Sequence, residues 1–394
     1  VTTFAKASAV TSAYQLDDER AIRTGRRVDD WTKSGLLTPE QREVILPQLA
    51  VNLRRTNLFL RITLFVFGGV ILQSALGLVA VLLGDVVDSS GAGAICLLIG
   101  GGCFRLASWL VSRYDLYRFG VEEAVALTAA ALVGAGAGLL AGDGAWGLRL
   151  GLAVGAGMLA ALYWHFGYVY AAVLAMVMAA ALPFQFGIDE VIQRAGAIAV
   201  LAAIAMSARR ARAPHGDEYP GDALAVIESV AWLGIYLLLN LVMSSGFSRL
   251  DRDSIVYWIT FAMIWLMPAG SLVVALRGRE RPLLLASLVT VLTTILTTKE
   301  YLGLPRYEWD PIVFGLIVMG GALAARRWLA SGEGGQRHGY TASRLIASET
   351  AHLGHLAMVS ATQADVPVAD STPPSDVGIG GGGRSGGAGA GGSF

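Results

Sequence analysis

Ten separate stretches of this 394-residue chain stay apolar for about as long as a helix needs to cross a bilayer, and nothing else in the sequence constrains its fold as much. A hydrocarbon core about 30 Å thick takes ~20 helical residues rising 1.5 Å each. The stretches run approximately over 58–83, 92–111, 124–141, 148–164, 168–186, 191–208, 224–242, 255–276, 283–298 and 312–328. They predict an all-α polytopic membrane protein with about ten transmembrane helices. Only 15% of the residues are charged, against roughly a quarter in soluble domains. The formal net charge of zero supplies no basic field for nucleic acid, so the first expected partner is the lipid bilayer itself.

Orientation is read from where the basic residues fall in the short loops, because arginine and lysine are retained on the cytoplasmic side. With the N-terminus inside, the cytoplasmic ends carry Arg54, Arg55, Arg113, Arg118, Arg209, Arg210, Arg212, Arg277, Arg279, Arg281, Arg326 and Arg327. The opposite ends carry Arg149, Arg194, Arg249, Arg252, Lys299 and Arg306. Twelve against six, with an even number of spans, places both termini in the cytoplasm of a bacterial plasma (inner) membrane protein. The first long apolar run begins near Leu58, behind a polar segment with Arg20, Arg23, Arg26 and Arg27, so the first span is expected to be its own insertion signal.

Residues 1–55 form a separate region, ahead of the transmembrane domain at 56–328. Gln15 to Lys33 suits a polar helix, and Gly35 follows as its left-handed stop. Thr38 can cap a second helix, with Pro39 at the first helical position and Gln41 closing a T-x-x-Q capping box. Trp31, Leu36, Leu37, Val44, Ile45 and Leu49 are expected to form a small apolar seam between the two helices. So thin a core is marginal by itself, which favours docking on the membrane domain or on a partner. Residues 329–394 form a cytoplasmic tail that is expected to be largely disordered: after a helical stretch near Thr341 to Ser360 comes a Pro/Ser/Asp-rich run, then GIGGGGRSGGAGAGGSF, which cannot bury a core.

The W-x-x-x-G-L-L-T-x-E-Q pattern of Trp31, Gly35, Leu36, Leu37, Thr38, Glu40 and Gln41, with Ile45 after it and a first span close behind, resembles the N-terminal region of a bacterial family of predicted membrane proteins, domain of unknown function 2157. The likeness covers roughly residues 15–85. It implies a multi-span membrane protein and carries no activity, cofactor or catalytic residue with it.

Ionisable groups inside spans cost a few kcal/mol at mid-helix and are the natural functional suspects. Arg61 lies early in the first span, Arg105 two turns before Arg113, and Glu228 one turn into the seventh span. All three fall at cytoplasmic-leaflet depth, and Arg105 and Glu228 are expected to pair. Glu122 and Glu123 open the third span, where interfacial water would solvate them, and Gln73 and Asn240 suit hydrogen bonds between helices. Tyr163, Trp164, His165, Tyr168 and Tyr170 resemble an interfacial aromatic belt. Gly134 with Gly138 and Gly151 with Gly155 predict close packing of the third and fourth spans. Pro183 and Pro268 fall near expected span ends.

His352 and His355 have the spacing of two ligands without a third, so no metal and no cofactor is expected. H-E-x-x-H and Walker patterns are missing from the chain, and no catalytic residue is assigned. The function expected from sequence is therefore non-enzymatic: binding a membrane or cytoplasmic protein partner, or self-association, through the docking hairpin of Trp31, Gly35, Leu36, Leu37, Thr38 and Gln41. The alternative is a permease or secondary transporter with an intramembrane polar site at Arg61, Arg105 and Glu228.

Overall fold

The computed structural model describes residues 13–83, 87–142, 144–213, 219–243, 253–278, 280–305, 307–332, 336–337 and 340–341. The tail beyond them, with His352, His355 and the glycine-rich run, lies outside the described residues. The chain is helical: α1 (Leu16–Lys33), α2 (Pro39–Ile45), α3 (Leu58–Leu83), α4 (Ser89–Tyr114), α5 (Val121–Leu140), α6 (Ala145–Phe166), α7 (Val169–Ala181), α8 (Glu190–Arg212), α9 (Tyr219–Leu239), α10 (Ile255–Gly278), α11 (Arg281–Tyr301) and α12 (Asp310–Ala330). Two-residue strands, Gln336–Arg337 and Tyr340–Thr341, pair antiparallel beyond α12.

Among the described residues nine helices are long and apolar enough to cross a membrane, and a tenth apolar segment, Val169–Gln185, is shorter. The shortening has a local cause. Pro183 ends α7 in a 3₁₀ turn, Leu182–Gln185. The freed carbonyl of Gln185 accepts two N–H bonds from Arg149 at 3.1 and 2.9 Å, and the same guanidinium lies 4.5 Å over the Phe186 ring.

From α4 to α11 each helix packs on the next in the chain. The main core joins α1, α4, α5, α6 and α7. A second cluster joins α7, α8 and α9, and a third joins α9, α10 and α11. Glycine sets the separation of α4, α5 and α6. A Cβ on Gly134 would stand 3.1 Å from the Gly151 carbonyl and the Gly155 Cα, and one on Gly138 would stand 3.1 Å from the Gly147 carbonyl. The four-residue glycine spacing thus becomes backbone-to-backbone contact. No described residue of α3 or α12 is buried; α3 packs on α5, and Lys299 of α11 ties down the start of α12 through Asp310 at 2.5 Å.

Pro268 lies inside α10 rather than near its end. A proline there removes the donor that the Ile264 carbonyl would use. Thr294 of α11 supplies it instead, its hydroxyl donating to that carbonyl at 2.9 Å.

Candidate functional site

The hairpin forms as its caps dictate. Gly35 takes a φ of +73°, the Gln41 N–H donates to the Thr38 hydroxyl at 3.3 Å, and the Thr38 N–H donates to the Gln41 side chain at 2.9 Å. Arg42 bonds Asp29 across it at 2.8 Å. Its seam differs from the expected one. Val28 is 2% exposed, whereas Trp31 is 39% exposed, Leu36 67% and Val44 65%. Leu37, Ile45, Leu46 and Leu49 are half-buried. On the helical wheel Trp31 stands nine residues, about 180°, from the buried Ile22, so it is turned toward the hairpin's outer surface.

The hairpin is fastened to one end of the bundle. The Ala13 N–H donates to the His165 carbonyl at 2.7 Å, and Tyr14 packs edge-on against Tyr117 at 5.0 Å. Ile22 joins the main core, and Arg23 pairs with Asp222 of α9. Arg54 makes a parallel bridge to Leu116, with N–H bonds of 2.8 and 3.0 Å to and from the α4–α5 connection. Glu19 of α1 is buried at this junction beside Tyr117 and Arg118, and burial raises its carboxyl above the usual carboxylate range while Arg118 partly offsets the shift.

This covering changes the state of the acids below it. Glu122 and Glu123 are 0% and 3% exposed, not solvated as the sequence suggested, because the N-terminal segment and the α4–α5 connection close over the start of α5. Glu123 takes a bidentate ion pair from Arg61 of α3, at 2.5 and 3.2 Å. The Glu122 side chain accepts the Phe119 N–H at 2.5 Å and its second oxygen is unbonded. The connection reaches this geometry through backbone in the left-handed region at Asp115 (φ 52°), Arg118 (φ 51°) and Gly120 (φ 115°). Only glycine fits the last position, since a Cβ there would meet the Arg61 carbonyl at 2.3 Å. A groove of about 350 Å³ opens beside the pair, lined by Leu58, Ile62, Phe65, Leu127 and Tyr170.

Arg105 and Glu228 are not brought together. Glu228, 1% exposed, lies 3.5 Å from Arg209 and 3.4 Å from Arg212 of α8, and Arg212 also holds Glu280 before α11. Arginines at the C-terminal turn of α8 also complement the helix dipole. Arg105 is exposed, lining a shallow surface with Leu106, Ser108, Trp109 and Ser112. The expected pair fails because α4 packs on α5, whereas α9 packs on α8. The aromatic belt is likewise only partial. Trp164 is 69% exposed, but Tyr168 is buried and stacked between Phe166 at 5.1 Å and Tyr170 at 5.4 Å.

One polar feature escaped the sequence reading. Ser287, Thr290, Thr294, Thr297 and Tyr301 form a buried hydroxyl row along α11. Thr294 meets Tyr236 of α9 at 2.8 Å, and Asn240 bonds both Tyr236 and Thr297 at 3.0 Å. The signal was the alternating spacing of three and four residues, which puts all five on one helical face. Comparison with family models, with curated proteins and with solved structures finds no match.

Proposed function

We propose that this multi-pass membrane protein is a non-enzymatic docking platform, holding its N-terminal hairpin at the cytoplasmic face of a bacterial inner membrane for a protein partner or a second copy. The observation that carries the reading is the division of labour within the hairpin. Tyr14 and the α1 residues Ile22 and Arg23 are committed to the membrane domain. Leu36 and Val44 stand uncovered beside a groove of about 360 Å³ lined by Leu37, Glu40, Gln41, Val44 and Ile45. A rigidly mounted apolar surface loses little entropy on binding, so contact energy there converts efficiently to affinity. The resemblance to domain of unknown function 2157 and the arginine distribution support the same reading.

The test is a photo-crosslinking residue at position 44 in membranes, with position 20 as control. A protein adduct at 44 that Leu36→Asp abolishes is expected. Adducts equal at both positions, or unchanged by Leu36→Asp, would overturn the proposal.

A second reading, a permease, is favoured by the three buried carboxylates Glu122, Glu123 and Glu228, since ionisable groups within spans mark ion and proton paths. Proteoliposomes would then dissipate an imposed pH gradient, and Glu122→Gln would slow the loss. Liposomes holding their gradient equally with and without the protein exclude it.

A further inference from the structure

A groove of about 470 Å³ runs between α6, α7, α8 and α9, its walls built mainly from alanines: Ala156 and Ala160 of α6, Ala172 and Ala179 of α7, Ala203 and Ala211 of α8. It exists because its floor is the short helix and its walls carry little beyond methyl groups. It runs inward from the end of the bundle that holds the hairpin. Along α8 it extends from Ala211 to Ala203, eight residues or about 12 Å of helical rise. The hydrocarbon core is about 30 Å thick, so this length lies within one leaflet. Its lining is apolar apart from Ser207 and the aromatic rim of Tyr163 and Trp164.

The mouth is basic. Arg210 is exposed and lies three residues beyond Ser207, on the same helical face as the groove wall. Arg209, one residue away, projects about 100° round the helix from Arg210 and is held by Glu228, so Arg210 is the arginine that faces the mouth. A comparable groove of about 540 Å³ between α3 and α4, at the opposite end of the bundle, has Asp88 at its mouth instead. The two grooves therefore differ in the charge they offer to a headgroup.

We propose that the α6–α9 groove is a binding site for an anionic glycerophospholipid, with one acyl chain lying along the alanine wall and the phosphate at Arg210. Charge complementarity selects the headgroup, because an exposed arginine at the membrane surface attracts anionic lipid and neutral lipid gains nothing from it. The apolar wall holds the chain by contact alone, so it does not distinguish headgroups.

The test uses the purified full chain, exposed in mild detergent to an equal mixture of phosphatidylglycerol and phosphatidylcholine, with retained lipid counted by native mass spectrometry. Phosphatidylglycerol should be retained about fivefold over phosphatidylcholine. Arg210→Gln should bring that ratio close to one, and Ala203→Phe, which fills the groove from an exposed wall position, should remove one retained lipid of either kind. Equal retention of the two lipids by the unaltered chain, a ratio unchanged by Arg210→Gln, or an undiminished lipid count in Ala203→Phe would each overturn the proposal. Free glycerol phosphate competing as well as phosphatidylglycerol would overturn the part assigned to the acyl chain. None of these readouts depends on the hairpin, so failure here leaves the docking proposal standing.

Discussion

Ile22→Ala should release α1 from the membrane domain far more effectively than Trp31→Ala, although tryptophan is the larger side chain. Ile22 is 3% exposed within the main core, whereas Trp31 is 39% exposed at the hairpin surface. Truncating a buried isoleucine costs about 2–5 kcal/mol, depending on how far the site can collapse. An 18-residue helix freed from its packing is marginal in water, so undocking and unwinding of α1 should be coupled. The readout is amide hydrogen exchange of Leu16–Lys33 in detergent-solubilised protein. Since 1.4 kcal/mol is a factor of ten, Ile22→Ala should speed exchange by at least about 30-fold. Trp31→Ala removes contacts that are already part solvated and should change it less than about tenfold. Exchange accelerated more by Trp31→Ala than by Ile22→Ala would refute the assignment of the anchoring face, and with it the argument that the outer face is free to dock.

Arg61→Gln and Glu123→Gln should each destabilise the solubilised protein by about 2–4 kcal/mol, while the double variant loses clearly less than their sum; additive thermal shifts would dissolve the pair. Gly136→Ala should lower the melting temperature, because its Cβ would meet the Gly93 carbonyl at 2.7 Å, whereas Gly101→Ala, with nothing within 4 Å, should leave it unchanged. Thr294→Val leaves the Ile264 carbonyl below Pro268 without its donor and should cost about 1–2 kcal/mol, with Thr293→Val, on the exposed face, as the neutral control in the same assay. Glu19 binds its proton more tightly docked than free, so its contribution to docking is complete below the ordinary carboxylate range and is lost as pH rises through its raised value. Exchange of α1, corrected for intrinsic rates, should therefore speed up as pH rises from the ordinary carboxylate range through the raised one in the unaltered chain, and lose that rise in Glu19→Gln.

Segment character was legible in the sequence because it is local. Apolar length determined the membrane helices, and Gly35, Thr38, Pro39 and Gln41 determined the hairpin down to its two capping hydrogen bonds. Gly134, Gly138, Gly151 and Gly155 announced a close approach because only small residues allow one in lipid. The partner of each buried charge was not legible. Arg61 met Glu123, sixty-two residues away, and Glu228 met Arg209 and Arg212 rather than Arg105. Those pairings depend on which helices are neighbours and at what rotation, and a uniformly apolar helix leaves its rotation unmarked. The same reason hides the burial of Glu122: water would reach the start of α5 if the N-terminal segment did not lie over it, and only the folded chain brings residues 13–54 there. Hydrophobic length is written into each segment separately, but burial and pairing belong to the assembled bundle.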